Sequence, residues 1–316
     1  MQPHNLKHHL IRGALLATLA GVSAGWAAEP TNGAGPGGSP FRVDSTLVLV
    51  PVTVVDRRGA IVNGLSGNAF TLTEDGARQP IKSFSEDDAP VSLGIVLDLS
   101  GSMKGYLPTA KEAFRSLMGD ANPEDQVFLN GVSTQPRAYS SFGDSFEETM
   151  QRVESEPAGG FTALIDTVYL SSQELRGSVH SRKALVVISD GMDNHSRYTS
   201  TELARQLEEA DAQIYTIAVV SAVSPIQPPK PLIMTEGQRG QHFLEELAAR
   251  TGGMSFVAGD KAAVFKAAAA IGRALRNQYT IGYARCGNGD GKWRKISVKV
   301  AGSGLRVYAR AGYRAD

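Results

Sequence analysis

Cysteine is almost absent: Cys286 is the only one in 316 residues. A lone thiol forms no intrachain disulfide and no cysteine metal cluster, so neither holds this fold together. Cys286 is a spare thiol, free to be buried or to pair with another chain. Excess charge is also absent, with 32 basic and 32 acidic residues. Without a basic surplus or an aromatic-basic motif, nucleic acid is excluded as the expected partner. No GxxxxGK[ST], GxSxG or HExxH motif occurs, which removes the common phosphate-cradling, serine-hydrolase and zinc-protease chemistries. His180, His195 and His242 lack zinc-ligand spacing and read as surface or packing residues.

Long apolar runs are missing too. The strongest, Gly13 to about Gly25, is shorter than the ~20 residues a membrane span requires. Lys7 and Arg12 precede it, and Gly25-Trp26-Ala27 supplies small residues where a signal peptidase reads. Residues 1–27 therefore read as a secretory signal peptide, giving an exported protein, periplasmic or secreted, with no transmembrane span in the mature chain. No cysteine follows that run, which argues against a lipid-anchored lipoprotein. Removing Lys7 and Arg12 leaves 30 basic and 32 acidic residues.

What is present is a globular composition, 42% hydrophobic, arranged in distinct stretches. Residues 28–40 are a Gly/Pro linker. Its Gly33-x-Gly35-x-x-Gly38 has no strand before it or helix after it, so it is no dinucleotide fingerprint. Residues 41–89 read as all-β, with strands at Thr46 to Asp56 and Ala69 to Glu74. Residues 278–316 carry three more strands between Gly-rich turns. Too small to stand alone, the two ends are expected to pair into one small β-module. Residues 90–277 alternate strands and helices, which predicts a doubly wound, Rossmann-like α/β domain. Within it, Ser221 to Gly240, with four prolines, reads as a long surface loop followed by a helix from Gln241 to Arg250.

Val91 to Ser102, VSLGIVLDLSGS, is the most informative segment. An apolar run of this kind is a buried parallel strand, and ligands bind beyond the carboxyl ends of such strands. Asp98, Ser100 and Ser102 fall there at alternate positions, a carboxylate and two hydroxyls about one point. Hard oxygen ligands suit Mg²⁺ or Ca²⁺ rather than zinc or copper. Two more segments end at the same sheet edge. Gly159-Gly160-Phe161-Thr162 brings a hydroxyl to a helix start, and Ala184 to Asp190, ALVVISD, delivers a second carboxylate. Each of the five alone reads as a helix cap; together they read as a site. The sequon Asn194-His195-Ser196 is discounted because a glycan would crowd it.

Asp98-x-Ser100-x-Ser102, then Thr162, then Asp190 resembles the metal-ion-dependent adhesion site of von Willebrand factor type A domains, over about Val91 to Arg276. The β flanks resemble the related domain of secreted bacterial proteins. The resemblance implies that Ser100 and Ser102 bind the metal directly. Thr162 binds it directly or through water, and Asp98 and Asp190 act mainly through waters. The implied ion is Mg²⁺, with Ca²⁺ or Mn²⁺ as alternatives, and the implied partner is a protein presenting Asp or Glu. Neutral hydroxyls leave the ion's charge largely unquenched, which attracts that carboxylate. Asp193 reads as a turn or cap residue. Met103 and Tyr106 read equally as rim contacts or as helix packing. The expected function is a non-enzymatic, metal-dependent protein-binding module of unspecified oligomeric state. Two alternatives stand beside it: a structural part of a cell-envelope complex, and a Mg²⁺-dependent phosphohydrolase with Asp98 as nucleophile. In phosphohydrolases of that type a second Asp follows two residues on, where this chain has Ser100.

Overall fold

The computed structural model describes residues 47–119, 121–220, 234–285 and 289–315. The expected signal peptide, the linker, Cys286 and most of the proline-rich loop lie outside the described residues. Four strands come first: β1 (Leu47–Val55), β2 (Phe70–Glu74), β3 (Ala77–Gln79) and β4 (Ile81–Ser85). The α/β segment follows with β5 (Val91–Asp98), a 3-10 turn at Gly101–Gly105, α1 (Leu107–Gly119), β6 (Gln126–Val132), β7 (Arg137–Ser140), α2 (Phe146–Glu154), α3 (Leu164–Arg176) and β8 (Arg182–Ser189). It continues through α4 (Ser200–Ala210), β9 (Gln213–Val219), α5 (Glu236–Thr251), β10 (Ser255–Ala258) and α6 (Lys261–Arg276). Last come β11 (Tyr279–Ala284), β12 (Trp293–Val300), β13 (Arg306–Ala309) and β14 (Gly312–Arg314).

The central sheet has the order β10-β9-β8-β5-β6-β7. All its pairings are parallel except β6 with β7. Every residue of β5 is buried, because helices cover both faces of a parallel sheet. Leu93, Ile95 and Leu97 pack against α1 and α6, while Val96 packs on the opposite side with residues of α3, α4 and α5. Gly94 has no side chain because a Cβ there would lie 2.5 Å from Phe128 Cζ and 2.6 Å from Leu185 Cδ1. β6 and β8 flank β5 on opposite sides, so the chain reverses its strand order at β5. The crevice outside its carboxyl end is the switch point at which doubly wound sheets hold ligands.

Several elements differ from the sequence reading, which assigned no strand at β3, β4 or β14. α5 begins at Glu236 rather than Gln241, since Thr235 and Gln238 form a capping box. The short antiparallel β7 escapes periodicity, because its first two residues are exposed and its last two buried, with no alternation.

Strands from the two ends of the chain interleave. β1 pairs with β11 and β13, and β2 pairs with β12. They build two four-stranded sheets, β13-β1-β11-β4 and β14-β12-β2-β3, rather than a single one. Val50, Val52, Phe70, Leu72, Ile281 and Ile296 share their core. Within it lies a buried carboxylate, Glu74, whose Oε2 accepts from Tyr283 at 2.6 Å and Tyr313 at 2.9 Å. Burial, reinforced by the Glu74 carboxylate, pushes both tyrosines up, Tyr313 to about 12. Replacing the acceptor strands two hydroxyls, and a stranded buried donor costs roughly 1–3 kcal/mol. Glu74→Leu should therefore lower stability by about 2–4 kcal/mol in denaturant titration, whereas Glu74→Gln, which keeps an acceptor, should lose less than half of that.

Candidate metal centre

Asp98 closes β5 and is fully buried. Its Oδ1 accepts the Ser100 backbone N–H at 2.9 Å, and its Oδ2 accepts the Ser189 hydroxyl at 2.5 Å. Removal from water pushes its pKa up, the neighbouring Asp190 adds to this, and the bonds from Ser100 and Ser189 oppose it. The chain turns after Leu99 into the 3-10 segment, so Ser100 and Ser102 meet with their Oγ atoms 3.1 Å apart. Ser100 is buried while Ser102 is exposed, which leaves the hydroxyl pair open to solvent on one side.

Asp190 follows β8. Its Oδ1 accepts the Met192 N–H at 3.0 Å, and the turn continues through Gly191 at φ +77°. The Gly191 N–H donates to Ser189 Oγ at 2.9 Å, so one hydroxyl links the two carboxylate-bearing loops. Thr162, buried, sits on a third loop tied to both. The Gly159 N–H donates to Leu99 O at 2.8 Å, and the Thr162 N–H donates to Asn194 Oδ1 at 2.9 Å. Asn194 and His195 return their backbone N–H groups to Thr162 O at 3.0 and 3.1 Å. Among the described residues the Thr162 hydroxyl has no hydrogen-bond partner, and no bond joins it to the serines.

All five expected positions thus lie at one edge of the central sheet, on three loops that hold one another. Sequence reasoning missed Ser189 and Asn194, which position Asp98 and Thr162. Asp193 is a cap: its Oδ2 accepts the Ile165 N–H of α3 at 2.9 Å and the Ser196 hydroxyl at 2.5 Å. Met103 is fully buried in the core, so packing is its role and the rim reading falls. Tyr106 is half-buried and its hydroxyl donates to Val220 O and Gly259 O at 3.2 and 3.0 Å, which ties it to the ends of β9 and β10.

The donor set is all oxygen: two carboxylates and three neutral hydroxyls. Among the described residues no group of three or more His, Cys, Asp or Glu side chains could hold a metal. The all-oxygen set suits Mg²⁺, and a carboxylate withdrawn from water beside a second one is stabilised by a cation. The residues present therefore fit the implied ion. Among the described residues no helix is long and apolar enough to cross a membrane.

Several solved structures are similar to this chain at low identity. The conserved protein BatB of Bacteroides thetaiotaomicron is 17% identical with a TM-score of 0.45, covering 59% of this chain and 100% of its own. A von Willebrand factor type A protein of Catenulispora acidiphila is 12% identical with a TM-score of 0.49, covering 87% and 76%. The vWF domain of the type V pili tip protein Mfa5 of Porphyromonas gingivalis is 11% identical with a TM-score of 0.47, covering 60% and 95%. No curated protein matches the chain. The family model of the von Willebrand factor type A domain matches residues 93–268, more than half of the sequence, and the chain belongs to that family.

Proposed function

We propose that this chain is an exported, non-enzymatic protein-binding module whose bound divalent cation, Mg²⁺ by its ligand chemistry, takes an Asp or Glu side chain from a partner. Ser100, Ser102 and Thr162 would hold the ion, with Asp98 and Asp190 behind them. The ion supplies uncompensated positive charge at a solvent-facing position. The observation that carries this reading is the open pair of serine hydroxyls, 3.1 Å apart, beside a buried Asp98 whose two oxygens are already engaged. Ser189 and the Ser100 N–H fix the Asp98 carboxylate, so it orients the serine loop and holds negative charge behind the site. Export rests on Lys7, Arg12 and the short apolar run that follows. The boundaries proposed for the module are residues 90–277, with residues 41–89 and 278–316 as its β-flanks.

The same engagement speaks against a phosphohydrolase. A nucleophilic Asp98 must meet its substrate, and its carboxylate is fully buried, with each oxygen already accepting a hydrogen bond from the protein. Among the described residues no histidine ring hydrogen-bonds to the five residues, and the ring of His195 is stacked on Phe161 with centroids 5.1 Å apart.

Two measurements test the proposal. Calorimetry should show Mg²⁺ binding to the wild type and at least a hundredfold loss in the Ser100→Ala, Ser102→Ala double variant, whose circular dichroism should be unchanged. Unchanged affinity would falsify the site. Saturating Mg²⁺ at about 100 times its dissociation constant should stabilise the fold by roughly 2.7 kcal/mol. If chelation removes this increment yet leaves partner capture intact, the ion is structural and the binding role falls.

A further inference from the structure

Beside the candidate metal centre stand two aromatic pairs, one on the loops that carry it and one joining such a loop to α3. Phe161, directly before Thr162, is 58% exposed, which is unusual for a large apolar side chain on a rigid turn. Its ring stacks on His195 at an interplanar angle of 11°. Tyr198, also exposed, stacks on Tyr169 of α3 with centroids 3.9 Å apart.

The backbone that carries these rings is held in place. The Phe161 N–H donates to Thr134 Oγ1 at 3.2 Å, and Gly160 before it holds φ +79°. His195 is held by its N–H to Thr162 O, the strut that also positions the candidate ligand. Tyr198 donates its N–H to Asp166 Oδ1 at 2.9 Å. A rigid exposed aromatic loses little conformational entropy on binding, which is the character of an interface anchor. His195 covers one face of the Phe161 ring and leaves the rest to solvent.

We propose that Phe161 and His195 form a second contact for the protein partner, an apolar platform that takes an aliphatic or aromatic side chain within two residues of the metal-bound Asp or Glu. The inference rests on the metal-dependent reading above and adds a sequence preference to it. Phe161 and Thr162 are adjacent in the chain, and an extended peptide advances about 3.3 Å per residue. A carboxylate at the ion therefore brings its next or next-but-one neighbour over the platform. The partner segment is thus extended, acidic at one position and apolar beside it.

The experiment is selection of a random peptide library displayed on phage against the full chain in Mg²⁺, with elution by EDTA. Eluted peptides should carry Asp or Glu with an aliphatic or aromatic residue within two positions. They should bind Phe161→Ala roughly tenfold more weakly, and Phe161→Leu should recover most of the loss. Calorimetric Mg²⁺ affinity reads the ion site separately. Peptides that elute with EDTA yet show no apolar neighbour, or prefer Lys or Arg there, overturn the platform and leave the metal reading standing. Equal binding to Phe161→Ala does the same. Peptides retained through EDTA overturn the metal reading and the platform with it.

Discussion

Gly191→Ala should lower stability by about 3–5 kcal/mol and weaken Mg²⁺ binding at least tenfold at temperatures where the variant remains folded. A Cβ at Gly191 would lie 2.1 Å from the carbonyl oxygen of Gly240, and the backbone there has φ +77°. The left-handed conformation alone costs an alanine roughly 1–2 kcal/mol. The clash is the larger contribution, because both partners are backbone and neither rotates away. Relief requires α5 and the Asp190 turn to separate. The Gly191 N–H would then leave Ser189 Oγ, the hydroxyl that holds Asp98 Oδ2. One methyl group thus disturbs both carboxylates of the site. Gly240→Ala, whose Cβ would meet Asp190 O at 2.5 Å, should reproduce the effect from the helix side. Thermal melting and Mg²⁺ calorimetry check both variants, and a melting temperature within a degree of wild type would show that the close approach is absent.

The contrast between Gly191 and its surroundings shows what the sequence can carry. Asp98, Ser100 and Ser102 were legible because their arrangement is local: a buried apolar run stops and polar residues follow at alternate positions. Asp190 was legible as the end of a second apolar strand and Thr162 as a hydroxyl at a helix start, while their joining to Asp98 in one ligand set came from the family pattern. Ser189 was invisible for a related reason. It reads as the last residue of a strand, and its role depends on register, which pairs Leu97 with Ile188 and leaves Asp98 beside Ser189. The Gly191 and Gly240 contact has no local signal, because the sequence explains each glycine separately, one as a turn and the other as the end of a loop. At the fold level, long apolar strands and amphipathic helices were readable. The division of the flanks into two sheets was not, since pairing between the chain's ends is a tertiary choice that period-2 alternation leaves open.

Gln278→Leu should cost about 3 kcal/mol or more. Gln278 is buried where α6 gives way to β11. Its Nε2 donates to Gln213 Oε1 at 2.7 Å and Tyr215 Oη at 2.8 Å, and its Oε1 accepts from Arg182 Nη2 at 3.0 Å. Arg182 also donates to Ala89 O at 2.6 Å and to Leu275 O. One amide therefore satisfies groups on β8 and β9 at the junction between the α/β segment and the first strand of the C-terminal flank. Leucine fills the volume and leaves a buried guanidinium, an amide oxygen and a phenol short of partners. Desolvation lowers the Arg182 pKa and pushes Tyr215 up to about 12. For Tyr215 the sign follows from a folded pKa above the unfolded value near 10. Its contribution is full below about pH 10 and is lost as pH rises toward about 12, at roughly 1.4 kcal/mol per pH unit. Tyr215→Phe should flatten that alkaline slope in denaturant titrations across pH 9 to 12, while Gln278→Leu should lower stability at every pH. An unchanged slope in Tyr215→Phe would mean that the buried phenol does not govern alkaline unfolding. Because this network lies at the opposite end of the sheet from Asp98, both variants should keep wild-type Mg²⁺ affinity while folded, which separates the stability of the scaffold from the chemistry of the site.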